Sequence, residues 1–149
     1  MFMTHLECSL TGERYESDRL QNLSKAGKPL LARYDLDAIA ACLTREALAS
    51  RPNGMWKWRE LLPLPEGVEP VSLGEPETPI IPLDRIGAMH GTIAPIVKDE
   101  GRLPTGSFKA RGLVMAVSMA KALGIKHMAM PTNGNAGAAL AAYATSCGI

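Results

Sequence analysis

The sequence predicts an α/β fold, and three observations lead to it. Beyond residue 83, short extended runs alternate with alanine-rich runs of helical length. Each long helical run is stopped by a glycine, and the turns that open the helices carry Ser, Asn and Gly. Residues 94–99 read as a strand, 107–123 as a helix stopped by Gly124, 126–130 as the next strand, and 136–147 as a helix stopped by Gly148. Strand, helix, strand, helix at this spacing implies a parallel sheet covered by helices.

The composition sets the frame. With 149 residues, 46% of them apolar and 21% charged, the chain can bury about two thirds of its unfolded surface as one domain. A net charge of +1 supplies no electrostatic footprint for nucleic acid or an anionic membrane. No apolar run is long enough to span a bilayer, and the N-terminus carries no secretory pattern. Three scattered cysteines, Cys8, Cys42 and Cys147, make no disulfide framework and suit a reducing compartment, so a cytoplasmic location is expected.

From the N-terminus, residues 6–31 are polar and turn-rich. Residues 29–34 read as a strand, and Asp35 or Asp37 can cap a helix running to Ala49, with Leu36, Ile39, Ala40, Leu43, Ala47 and Leu48 on one face. A short amphipathic helix is expected over 55–62. Its Trp56 and Trp58 face different ways, one to the core and one to a domain or subunit contact. Six prolines between Pro63 and Pro82 impose extended, turn-rich chain that links or wraps.

Two turns carry candidate chemistry, both at the carboxyl ends of predicted strands, where α/β sheets collect ligands. In the first, Pro104-Thr105-Gly106-Ser107 leads into the helix and sets Lys109 in its opening turn. The positive end of a helix disfavours an ammonium, which suits that amine to nucleophilic work and a Schiff base. In the second, Thr132-Asn133-Gly134-Asn135-Ala136-Gly137 offers backbone N–H groups at a helix start, able to cradle a carboxylate. On their own Asn135 and Gly134 read equally well as an N-cap and a turn residue. His90 and His127 lie outside both turns and read as structural or surface residues, and Asp99 with Glu100 as a solvated charged turn.

The motif Pro104-Thr105-Gly106-Ser107-Phe108-Lys109-x-Arg111-Gly112 resembles the cofactor-lysine motif of fold-type II pyridoxal-phosphate enzymes, and in particular the threonine synthase family. Ser72-Leu73-Gly74-Glu75 with Thr78-Pro79-Ile80 is similar to that family's entry segment, and Arg33-Tyr34-Asp35-Leu36 and Trp58-Arg59-Glu60-Leu61-Leu62 extend the likeness. Cys8-Ser9-Leu10-Thr11-Gly12 and residues 23–30 resemble two worn Cys-x-x-Cys knuckles of a zinc ribbon. One remaining cysteine cannot close a four-ligand site, so no metal is expected.

The resemblance implies the fold of the tryptophan synthase β subunit, present in part. A degenerate ribbon-like element would occupy 1–34, a helical and proline-rich entry segment 35–82, and the first part of the cofactor domain 83–149. It implies pyridoxal 5'-phosphate in a Schiff base with Lys109, which is also the catalytic residue. Asn135 and Phe108 would contact the cofactor, Phe108 packing in the core or beside the ring, with the core favoured. Ser107, Thr132, Asn133 and Gly134 would meet the amino-acid substrate, while Arg111 reads as a salt bridge under the site or a contact to the substrate phosphate, with the salt bridge favoured. The implied reaction is the lyase conversion of O-phospho-L-homoserine and water to L-threonine and phosphate, in a homodimer. The chain is expected to be the N-terminal portion of such an enzyme and inactive by itself. A threonine or serine dehydratase, or a non-catalytic remnant, is the alternative.

Overall fold

The computed structural model describes residues 2–149. The first element is a three-stranded antiparallel sheet in the order β2-β1-β3, from β1 (Met3–Cys8), β2 (Arg14–Tyr15) and β3 (Leu30–Tyr34). Its register sets Cys8 opposite Leu30 and Leu6 opposite both Ala32 and Tyr15. Two tight turns meet beneath it. The buried Cys8 thiol donates to Ser24 Oγ at 3.0 Å and accepts from the Thr11 N–H at 3.4 Å, while Ser24 Oγ accepts from the Lys28 N–H at 3.1 Å. Because the Ser24 hydroxyl can also turn and donate to a thiolate, Cys8 titrates at about 7, well below an ordinary thiol. Among the described residues no group of three His, Cys, Asp or Glu side chains could hold a metal ion.

The helix predicted from Asp35 to Ala49 is two helices, α1 (Leu36–Cys42) and α2 (Arg45–Ala49). Asp35 caps the first by accepting from the Ala38 N–H at 2.9 Å, as its sequence position predicts. The break comes from Thr44, whose hydroxyl accepts from the Ala47 N–H at 3.1 Å and restarts the helix. Over Met55–Leu61 the chain forms a kinked 3₁₀ segment in place of the predicted α-helix. Trp56 packs against the main core, whereas Trp58 is 43% exposed.

The core lies between α4 (Lys109–Ala122) and α5 (Asn135–Ser146). Ala110, Val114 and Val117 from α4, with Ala139 and Tyr143 from α5, have no exposed surface, and Leu103 and Val71 complete the cluster. Small residues at 110 and 139 let the two helices approach closely, so larger side chains there would force them apart.

The proline-rich segment lies along this pair. The Val71 N–H donates to the buried Ser118 Oγ of α4 at 3.0 Å. The segment ends in β4 (Ile80–Pro82), which pairs antiparallel with β5 (Ile96–Lys98) around α3 (Asp84–His90), a helix that the sequence pattern did not predict. Pro79 and Pro95 end the ribbon, each accepting from the opposite strand at 2.9 Å, from the Asp99 and Leu83 N–H, with no N–H to return, and Pro82 leaves no N–H on the outer edge of β4.

The predicted parallel sheet is the main difference between sequence and structure. Both sheets are antiparallel, and residues 126–130 join no ladder among the described residues. β5 spends one edge on β4, whose direction is opposite, so the local partner is antiparallel.

Overpacking the helix contact should be costly. Ala139→Leu is expected to destabilise the protein by about 1–3 kcal/mol in chemical unfolding; an unchanged midpoint would mean that α4 and α5 are not closely packed there.

Candidate active site

Gly106, with φ of 69°, turns the chain into α4 through a left-handed conformation that suits glycine. Ser107, 9% exposed, then accepts from the Lys109 N–H through its hydroxyl at 3.2 Å and from the Ala110 N–H through its carbonyl at 3.2 Å. The hydroxyl therefore serves the helix start, and Ser107 does not line the cleft described next. Lys109 is exposed, and its Nζ lies 4.5 Å from the centroid of the Phe108 ring. Phe108 is 61% exposed, which corrects the expectation that it joins the core: it precedes the first helical residue, on the open side of the turn, while its neighbour Ala110 takes the buried face.

Lys109 opens onto a cleft of about 600 Å³ whose opposite wall is Met130 to Ala136. Lys109, Thr132, Asn133, Gly134 and Asn135, separated by more than twenty residues, are thus brought together. The loop owes its shape to Thr132, whose hydroxyl oxygen accepts from the Gly134 N–H at 3.0 Å and from the Gly137 N–H at 2.9 Å. Gly134 takes φ of 129°, and α5 begins at the next residue. Of the four N–H groups that a helix start leaves without partners, Thr132 satisfies two, and those of Asn135 and Ala136 have none among the described residues and stand at the cleft. Two free amides at the positive end of a twelve-residue helix suit a carboxylate or another anion. Gly137 matters here because a Cβ on it would stand 2.6 Å from Thr132 Cγ2. That role is visible in the sequence only as a glycine inside an alanine-rich helix.

Behind this face the charges are paired. Arg111 forks onto Glu100, Nε contacting Oε2 and Nη2 donating to Oε1 at 2.9 Å, in agreement with the expected salt bridge. Glu100 also accepts from the Thr78 hydroxyl at 2.5 Å, so it is not the solvated residue that the sequence suggests. Its carboxyl is held down at about 2, mainly by the Arg111 guanidinium. Deeper still, burial opposes ionisation of Glu75, but hydrogen bonds from the Ser72 hydroxyl at 2.6 Å and the Leu73 N–H at 2.9 Å outweigh it and keep the group below the usual carboxylate range. Burial also pushes the neighbouring Tyr143 hydroxyl up.

An aldehyde-bearing, anionic aromatic ring fits what the cleft offers. An accessible amine, an exposed aromatic face on Phe108, the free Asn135 side chain and two unpartnered amides line or flank one opening. Lys109, Phe108 and Asn135 are the residues that would hold such a group.

The family described as pyridoxal-phosphate dependent enzymes matches residues 71–149, just over half of the chain. A threonine synthase of Methanosarcina acetivorans is 37% identical over 148 residues, covering 99% of this chain and 36% of that protein. The threonine synthase of Methanocaldococcus jannaschii is 34% identical over 141 residues, 95% of this chain and 35% of its own. That of Halalkalibacterium halodurans is 44% identical over 93 residues, 62% of this chain and 26% of its own. The chain spans about a third of the length of the first two relatives. Among the described residues no helix is long and apolar enough to cross a membrane.

Two outcomes are expected. Gly137→Ala should cost about 1–3 kcal/mol by crowding Thr132, and adding Thr132→Ser, which removes Cγ2 and keeps the hydroxyl, should recover most of it in urea unfolding; no recovery would separate the cost from that contact. Because the Glu100 carboxyl is depressed in the fold, its stabilisation is complete above the ordinary value of 4.5 and is lost as pH falls through about 2. The stability gap between the protein and Glu100→Gln should therefore be widest above pH 4.5 and narrow with acid; a gap independent of pH would contradict the pairing.

Proposed function

Since this chain belongs to the pyridoxal-phosphate dependent enzyme family, we propose that it corresponds to the N-terminal portion of a threonine synthase. The reaction would convert O-phospho-L-homoserine and water to L-threonine and phosphate. The observation that carries this is the single cleft shared by the Lys109 amine and the amide-lined start of α5. The relatives, named threonine synthases and aligned over nearly the whole chain, support the choice of substrate.

In this reading pyridoxal phosphate, when bound, supplies an electron sink for charge developing next to the substrate's amino group. The protein supplies the rest. Lys109 Nζ would hold the cofactor, and the same amine is placed to take and return protons at the substrate's α and β carbons. The Asn135 and Ala136 N–H groups, with Asn133, receive the substrate carboxylate, and Asn135 orients the cofactor ring through its amide. Thr132 and Gly134 hold those amides in place, as Ser107 does for the first turn of α4. Phe108, whose ring centroid lies 4.5 Å from Lys109 Nζ, would flank the bound cofactor. Loss of phosphate from the γ carbon and addition of water at the β carbon then give threonine.

The reading assigns residues 1–34 to a worn ribbon-like element, 35–82 to the entry segment and 83–149 to the first part of a cofactor domain. In the whole protein that domain has a parallel sheet with flanking helices and assembles as a homodimer.

In the full-length protein, phosphate release from O-phosphohomoserine should be the preferred reaction, and Lys109→Ala should lower it by at least about 10²-fold. Faster deamination of threonine would replace this reading with a dehydratase. An unimpaired Lys109→Ala would remove the catalytic assignment altogether.

A further inference from the structure

Arg111 stands two residues after Lys109, so on a helix the two side chains leave the axis about 200° apart. Lys109 faces the cleft, and Arg111 reaches the opposite side. A cation in the opening turn of a helix opposes the helix dipole, so an arginine there needs a compensating anion. Glu100 provides it from the turn after β5, and three chain segments converge on its carboxylate. Arg111 from α4 grips both oxygens, Thr78 from the end of the proline-rich segment donates its hydroxyl at 2.5 Å, and Lys98 Nζ of β5 lies 3.7 Å from Oε1. Arg111 Nη2 also lies 3.4 Å from Thr78 Oγ1, closing the triangle. Thr78 is 5% exposed, so rearranging this cluster would disturb a packed residue.

We propose that Glu100, Arg111 and Thr78 form a positioning clamp that fixes the rotation of the first turn of α4 and so aims Lys109 into the cleft. The fork is planar and two-pronged, which restricts rotation about the helix axis in a way that a single point charge cannot. The clamp acts from the far side of the helix and touches neither substrate nor cofactor. The inference rests on the reading that Lys109 carries the cofactor, and the test separates the two.

The test uses the full-length protein loaded with pyridoxal phosphate, and its variants Glu100→Gln, Arg111→Lys and Thr78→Val. Arg102→Gln, which breaks the exposed Arg102–Asp99 pair, is the control. Borohydride reduction and peptide mass first establish whether the adduct is on Lys109. The induced circular dichroism of the cofactor's visible band then reports its orientation. In cofactor-free protein, amide exchange across 109–113 reports the helix start.

The clamp variants should weaken or invert the visible dichroism, speed exchange across 109–113, and lower kcat by about 10- to 100-fold with KM little changed. Arg102→Gln should do none of these. If the adduct maps to Lys109 but the variants lose thermal stability alone, with dichroism and kcat kept, the clamp is overturned and the pair is structural. If the adduct lies elsewhere, the underlying reading fails and the clamp with it. Should Glu100→Gln fail to fold, Arg111→Lys decides, because it keeps the charge and loses the fork; native dichroism in that variant overturns the proposal.

Discussion

The close contact between α4 and α5 is the constraint on which the rest depends. Ala110 and Ala139 leave room for the helices to meet, and Val114, Val117 and Tyr143 fill what remains with no exposed surface. Both helices begin beside the same cleft, so the contact that buries the core also brings the Lys109 amine to the loop of Thr132 and Asn135. One hydrophobic interface thereby sets the separation of two chemical groups far apart in sequence. This is the arrangement expected when a site is built on rigid elements.

Charge is sorted along the same axis. On the cleft side stand an unburied amine and two amide donors without partners among the described residues; on the far side the acidic groups Glu100 and Glu75 are held. Glu100 and Arg111 compensate one another where water is partly excluded, and Glu75 is held by the hydroxyl and amide of its own turn. Leaving either of these carboxylates unpaired would cost more than the pair contributes, because a half-buried charge without partners has lost its water and gained nothing. The open side can then keep donors available for a ligand without destabilising the packed side.

Much of this was legible in the residues. Gly124 and Gly148 mark the ends of α4 and α5 to within two residues, and Ser107 and Asn135 mark their starts. The sequence places both turns at helix starts, and the contact between α4 and α5 brings those starts to one cleft. What was not legible depends on distant partners. Thr44 looks like any helical threonine until its hydroxyl restarts α2. Glu100 looks solvated because its guanidinium partner lies eleven residues on and its hydroxyl partner twenty-two back. The strand pattern at 126–130 specifies extended chain without specifying a neighbour, and local pairing between β4 and β5 is antiparallel. Phe108 was misplaced because its hydrophobicity says core, while its position before the first helical residue turns it outward.

The length of chain between the entry segment and its anchors carries a consequence for synthesis. The Val71 amide meets Ser118 across 47 residues, and Thr78 reaches Arg111 across 33. On a ribosome adding roughly 5–20 residues per second, these residues emerge seconds before the helix that receives them. During that interval residues 71–78 lack the α4 partners that receive them, and the prolines among and beside them hold the chain extended. Extended chain of this kind resists premature collapse and pairs poorly with itself. The prolines that read as a linker or a wrap thus keep residues 71–78 straight until α4 arrives to bind them.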